Sequence, residues 1–97
     1  MKAIWKFSLE AKDSEGPFVD VKMPRGAHPY FVGLQGAGLF VWAMVDTEAP
    51  LETVRFAVVG TGREWPEGFH GIGAVIDGPY VWHVAVEWAK PSAMRLL

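Results

Sequence analysis

The sequence predicts an all-β domain of about seven short, mostly antiparallel strands, folded as a small sandwich or a partly open barrel. Three observations carry this expectation. Apolar residues recur with a period of two along most of the chain, the spacing of a strand with one buried face. Clusters of Gly, Pro, Asp and Ser interrupt that pattern at short intervals. No segment carries a helical period.

In residues 3–9, Trp5, Phe7 and Leu9 alternate with Lys6 and Ser8, which sets a first strand. Lys12-Asp13-Ser14-Glu15-Gly16-Pro17 has turn chemistry, and Val19, Val21 and Met23 then alternate with Asp20 and Lys22 in a second strand. After the break at Pro24-Arg25-Gly26-Ala27-His28-Pro29, Tyr30, Val32 and Leu34 mark a third, closed by Gln35-Gly36-Ala37-Gly38. The run 39–45 is apolar at every position, which suits a central strand covered on both faces. Beyond Asp46-Thr47-Glu48-Ala49-Pro50, residues 53–59 read as a fifth strand, with Val54, Phe56 and Val58 on one face and Arg55 opposite. Ile72, Ala74 and Ile76 open a sixth. Asp77-Gly78-Pro79 turns the chain, and Tyr80, Trp82, Val84, Val86 and Trp88 line one face of a seventh, with His83 and Glu87 on the other. Trp5, Trp82 and Trp88 read as core, Trp42 as core or interface. Most connections are too short for parallel crossovers, so consecutive strands are expected to pair antiparallel. Residues 1–97 form a single domain in this reading, with 89–97, interrupted by Pro91, as an exposed or oligomerising tail.

Ninety-seven residues suffice for one core and not for two ordinary domains. A hydrophobic fraction of 51% with five Trp and six Phe excludes disorder. Without cysteine, neither a disulfide nor a thiolate metal site supplies stability, which fits a reducing, cytosolic setting. Lys2 and Lys6 break what would be the apolar stretch of a secretion signal, and no apolar run approaches the roughly 20 residues of a spanning helix. A net charge of −2 offers no general attraction for a phosphate backbone, so non-specific nucleic-acid binding is disfavoured.

The one long irregular stretch, residues 60–71, holds the candidate ligand-binding residues: Gly60, Thr61, Gly62, Arg63, Trp65, Phe69 and His70. Arg63 suits a phosphate or carboxylate, Trp65 and Phe69 offer stacking faces, His70 adds a switchable donor, and the glycines admit backbone N–H groups to an anion. Together they fit a nucleotide-derived small molecule. In the competing reading, Trp65 and Phe69 fold back over an open end of the sheet and Arg63 pairs with Glu64 or Glu67. Gly60-Thr61-Gly62 lacks the strand-to-helix context of a phosphate fingerprint. His28, His70 and His83 lie on separate elements without ligand spacing, so no metal and no cofactor is expected. His83 and Glu87 share a face, as an acid–base pair would, and equally as a solvated face requires. With no Cys, no Gly-x-Ser-x-Gly elbow and serine only at Ser8, Ser14 and Ser92, no catalytic residue is assigned.

The segments Ile4-Trp5-Lys6-Phe7, Met23-Pro24-Arg25-Gly26-Ala27, residues 39–46 with Trp42-Ala43, Ala49-Pro50, Gly60-Thr61-Gly62 before Ile72-Gly73, and Tyr80-Val81-Trp82-His83-Val84 resemble a family of short uncharacterised proteins of tailed bacteriophages and prophages, over residues 4–84. The resemblance implies a phage accessory protein that binds rather than catalyses, acting in the host bacterial cytoplasm or on the virion. An anti-defence protein that sequesters a nucleotide-derived signal is the leading expectation. Two other classes stay open: a module that inhibits a host protein or decorates a virion, and a small hydrolase, which needs His70, His83, Glu64 and Glu67 around one cleft. A homo-oligomer, most simply a dimer, is also expected, because sheet edges need cover and Trp42, Trp88 and Ala93-Met94-Arg95-Leu96-Leu97 supply surplus apolar surface.

Overall fold

A computed structural model describes residues 1–10 and 16–87. Seven strands run through them: β1 (Lys2–Ser8), β2 (Phe18–Pro24), β3 (His28–Gln35), β4 (Gly38–Asp46), β5 (Leu51–Gly60), β6 (Phe69–Asp77) and β7 (Tyr80–Glu87). They form two antiparallel sheets, in the orders β1-β4-β3 and β2-β5-β7-β6. The sheets pack as an open sandwich, with β3 against β6 and β2 near β4, and do not close into a barrel. Trp88, the tail 89–97 and the turn residues 12–15 lie outside the described residues.

Only β3–β4 and β6–β7 pair with their neighbours in sequence. The expected consecutive pairing fails elsewhere because β1 and β2 go to opposite sheets, where β1 meets β4 and β2 meets β5. Register then decides which side chains share the interior. Phe7, Val41 and Val32 lie abreast, as do Trp5, Ala43 and Pro29. Facing them, Val19, Phe56 and Val86 form one row of the second sheet, and Val58, Val84 and Gly73 lie along another. Phe56, Met23, Val41, Val45 and Val84 are the largest side chains sealed completely from solvent, and they belong to a single cluster drawn from both sheets. Trp5 has the inward phase expected of it yet stays 38% exposed, because an edge strand is flanked on one side only.

Two expectations about phase are corrected. A bulge between Gly71 and Gly73 shifts the register of β6, so Val75 is buried and Ile76 is 75% exposed, the reverse of the predicted alternation. Ala74-Val75-Ile76 is apolar throughout and carries no phase of its own. In β4, which is central as expected, Val41, Ala43 and Val45 are buried, but Phe40, Trp42 and Met44 face away from the second sheet. Only one face of this strand is covered.

On the outward side of the four-stranded sheet, Arg55 grips Asp20 across the β2–β5 pair, Nε to Oδ1 at 2.8 Å and Nη2 to Oδ2 at 3.1 Å, with the guanidinium over the Phe18 ring. The hydrogen bonds from Arg55 hold the Asp20 carboxyl below its ordinary range. A folded-state pKa below the unfolded one stabilises the fold above the ordinary carboxylate range, and the benefit is lost as pH falls through the depressed value. Asp20→Asn is therefore expected to lower the urea midpoint slightly at pH 7, as is usual for an exposed pair, and the difference from the parent is expected to shrink as the pH falls below the ordinary carboxylate range.

Candidate functional site

β5 ends at Gly60, directly opposite Trp82 on β7. The chain then turns sharply: the Arg63 N–H donates to the Gly60 carbonyl at 3.1 Å, and Gly62 takes φ of +90°, a conformation that side chains disfavour. This throws Arg63 back across Gly60. A Cβ on Gly60 would lie 3.5 Å from Cζ3 of Trp82 and 3.7 Å from Cγ of Arg63, so the arginine stem and the indole converge over bare backbone. Thr61 ties the turn to β7, its hydroxyl 2.9 Å from Nε2 of His83 and 3.5 Å from the Val81 carbonyl.

Beyond Trp82, β7 extends past the end of β5, leaving Tyr80 without a β5 partner and 60% exposed. Tyr80 and Trp82 share a face two residues apart, and their rings stack with centroids 5.9 Å apart at 26°. A depression of about 450 Å³ lies between this pair and the Gly60 turn. Arg63 is the only charged residue lining it. Among the described residues Arg63 makes no ion pair, so the expected alternative of a pairing with Glu64 or Glu67 is not what the structure contains.

The remaining candidates go elsewhere. Phe69 belongs to β6 rather than the loop, is buried, and sets its ring 5.5 Å from that of Phe18 over the small residues Ala57 and Ala85. It offers no free stacking face. Trp65 folds back as the competing reading expected: its indole N–H donates to the Phe69 carbonyl at 3.1 Å, and the ring lies over Gly71, 3.5 Å from where a Cβ would stand. It also lines a groove of about 560 Å³ with Arg63, Glu64 and Glu67. Two carboxylates against one guanidinium make that side a poor host for phosphate. His70, in register with Val86, lines a separate depression of about 530 Å³ with His28 and Glu87.

Arg63, Thr61 and Gly60 thus share one hollow, Trp65 lines the adjoining groove, which shares Gly60, Arg63 and Trp82 with it, and Phe69 and His70 are outside both. His83 is tied to Thr61, Glu64 and Glu67 face the Trp65 groove, and His70 lines another depression, so the four residues required by a hydrolase do not surround one cleft. Among the described residues no three of His, Cys, Asp and Glu are grouped to hold a metal ion. Periodicity sets Tyr80 and Trp82 on one face of β7 and reads Trp82 as core, and Trp82 does pack half-buried against the core cluster while also lining the hollow. Their position next to the Gly78-Pro79 turn was the available signal, because β5 stops at Gly60 opposite Trp82 while β7 runs on to its hairpin turn.

Fold and hollow together define a small two-sheet β-protein with an aromatic, arginine-bearing recess at one open end. The chain belongs to the family described as a domain of unknown function, DUF7352, whose profile matches residues 1–94. Neither a curated protein nor a solved structure matches it at a significant level. Among the described residues, no helix is long and apolar enough to cross a membrane.

Proposed function

We propose that this protein is a non-enzymatic binding protein whose ligand is a planar, anionic small molecule of the nucleotide-derived class, held at the Gly60 turn. The observation that supports this reading is the placement of Arg63, a guanidinium without an ion-pair partner among the described residues, beside the stacked Tyr80–Trp82 rings in a recess lined by no carboxylate. An aromatic base stacks on such a ring pair, and a phosphate takes the guanidinium fork in bidentate fashion. The backbone around Gly60 lets a ligand approach closely. Combined with the resemblance over residues 4–84, the biological form of the proposal is a phage accessory protein in the host cytoplasm that withdraws such a molecule from defence signalling.

Calorimetry and tryptophan emission, read against a panel of nucleoside monophosphates, linear dinucleotides and cyclic oligonucleotides, test it. At least one member is expected to bind, and Arg63→Ala is expected to weaken that binding at least about tenfold, since hydrogen bonds to charged groups contribute about 1.5–3 kcal/mol. The same variant should melt as the parent does, because Arg63 is exposed. Silence from the whole panel, or undiminished binding by Arg63→Ala, overturns the proposal.

A further inference from the structure

The groove on the Trp65 side is not an isolated cavity. Gly60, Arg63 and Trp82 line both it and the hollow beside Tyr80, so they stand on the boundary between two adjoining recesses, of about 560 Å³ and about 450 Å³. The two sides differ in chemistry. The Tyr80 side has the stacked Tyr80–Trp82 rings and Arg63 as its one charged residue. The far side sets Trp65 and Pro66 beside Phe18 and Val58, with the carboxylates of Glu64 and Glu67 on its wall. Trp65 is fixed there by its N–H on the Phe69 carbonyl at 3.1 Å and by the contact of its ring with Gly71, yet it stays 45% exposed. An anchored aromatic ring with that much open surface is a stacking wall in place before any ligand arrives. Among the described residues neither Glu64 nor Glu67 makes an ion pair.

We propose, resting on the ligand reading above, that the ligand carries two bases: a dinucleotide that straddles Arg63, one base against Tyr80–Trp82 and the other, a guanine, in the Trp65 groove. Size is the first argument. Each recess by itself falls in the roughly 300–1,000 Å³ of a small-molecule site, so a single nucleotide occupies one and leaves the other to water. Charge then distributes the parts. The linking phosphate takes the guanidinium at the boundary, on the Tyr80 side, where no carboxylate lines the recess. A base is neutral, so the carboxylates that repel phosphate do not exclude it from the groove. They select among bases instead. An ionised carboxylate only accepts hydrogen bonds, and guanine offers it two donors side by side, the N1–H and the 2-amino group. Uracil offers one N–H between two carbonyl oxygens, which a carboxylate repels.

Calorimetry of the full chain with guanosine monophosphate, the linear dinucleotides GpG and UpU, and cyclic di-GMP tests this. A guanine dinucleotide, linear or cyclic, is expected to bind at least about tenfold tighter than guanosine monophosphate. With a base in each recess, Tyr80→Ala and Trp65→Ala should each weaken it about fivefold or more, the effect of removing an aromatic ring from under a base. Glu64 and Glu67 are exposed, so the paired variant Glu64→Gln/Glu67→Gln keeps the fold even where Trp65→Ala does not. It should cut the preference for GpG over UpU about fivefold or more. Guanosine monophosphate that binds as tightly as both guanine dinucleotides overturns this inference and leaves the ligand reading standing. So does a guanine dinucleotide that keeps its full affinity in Trp65→Ala, or its full preference over UpU in the paired variant. Silence from every nucleotide, or binding indifferent to Arg63→Ala, removes the ligand reading and this inference with it.

Discussion

Phe56→Ala is expected to lower the free energy of unfolding by about 3–5 kcal/mol, since Phe56 is the largest fully buried side chain among the described residues. Phe56 is sealed completely and occupies the middle of β5, abreast of Val19 on one side and Val86 on the other. Removing its ring forfeits the transfer free energy of a buried aromatic and leaves a cavity that two flanking strands, each held by its own ladder, are poorly placed to fill. Small domains have roughly 5–15 kcal/mol in total, so the variant should show a urea midpoint far below the parent with little change in slope. Phe31→Ala supplies the contrast within one residue type. Its ring is more than half exposed, and its loss should cost less than about 1 kcal/mol. A Phe56→Ala protein as stable as the parent would mean that the two sheets do not meet over this residue.

The strands were legible because most of them obey a period of two and end at recognisable turns. Partners were not. Nothing local distinguishes a β1 that pairs with β2 from one that crosses to β4, since pairing is decided by which apolar faces meet once the chain collapses. Bulges were equally invisible, and one inserted at Ile72 was enough to invert the predicted faces of Val75 and Ile76. For the site, the turn chemistry of Gly60-Thr61-Gly62 pointed correctly to where the chain leaves the sheet, and Arg63 stands in the recess that follows. Phe69 and His70 were misplaced because β6 begins three residues earlier than its alternation suggested, which hands consecutive residues to opposite faces. Tyr80 and Trp82 both have the inward phase, and Trp82 packs half-buried against the core as its periodicity implied. What the alternation does not show is that the same phase carries Tyr80, two residues nearer the open end of the sandwich, out to solvent.

Ala43→Asp and Met44→Asp should differ by several kcal/mol although the residues are neighbours in one uninterrupted apolar run. Ala43 has no exposed surface and lies between Trp5 and Pro29 on the side that meets the second sheet. A carboxylate there is buried without a partner, a change that costs about 3–5 kcal/mol, so Ala43→Asp should be largely unfolded or melt far below the parent. Met44 points the other way and keeps nearly half its surface in water, where a carboxylate stays hydrated; the monomer should lose no more than about 1 kcal/mol. Sequence periodicity is silent on the choice, because a run that is apolar at every position has no polar residue to mark which phase is outside. Thermal melts of both variants at micromolar concentration decide it. If Met44→Asp unfolds as thoroughly as Ala43→Asp under those conditions, the outward face of β4 is covered within a single chain, and the surplus of apolar side chains on the three-stranded sheet is core rather than exposed surface.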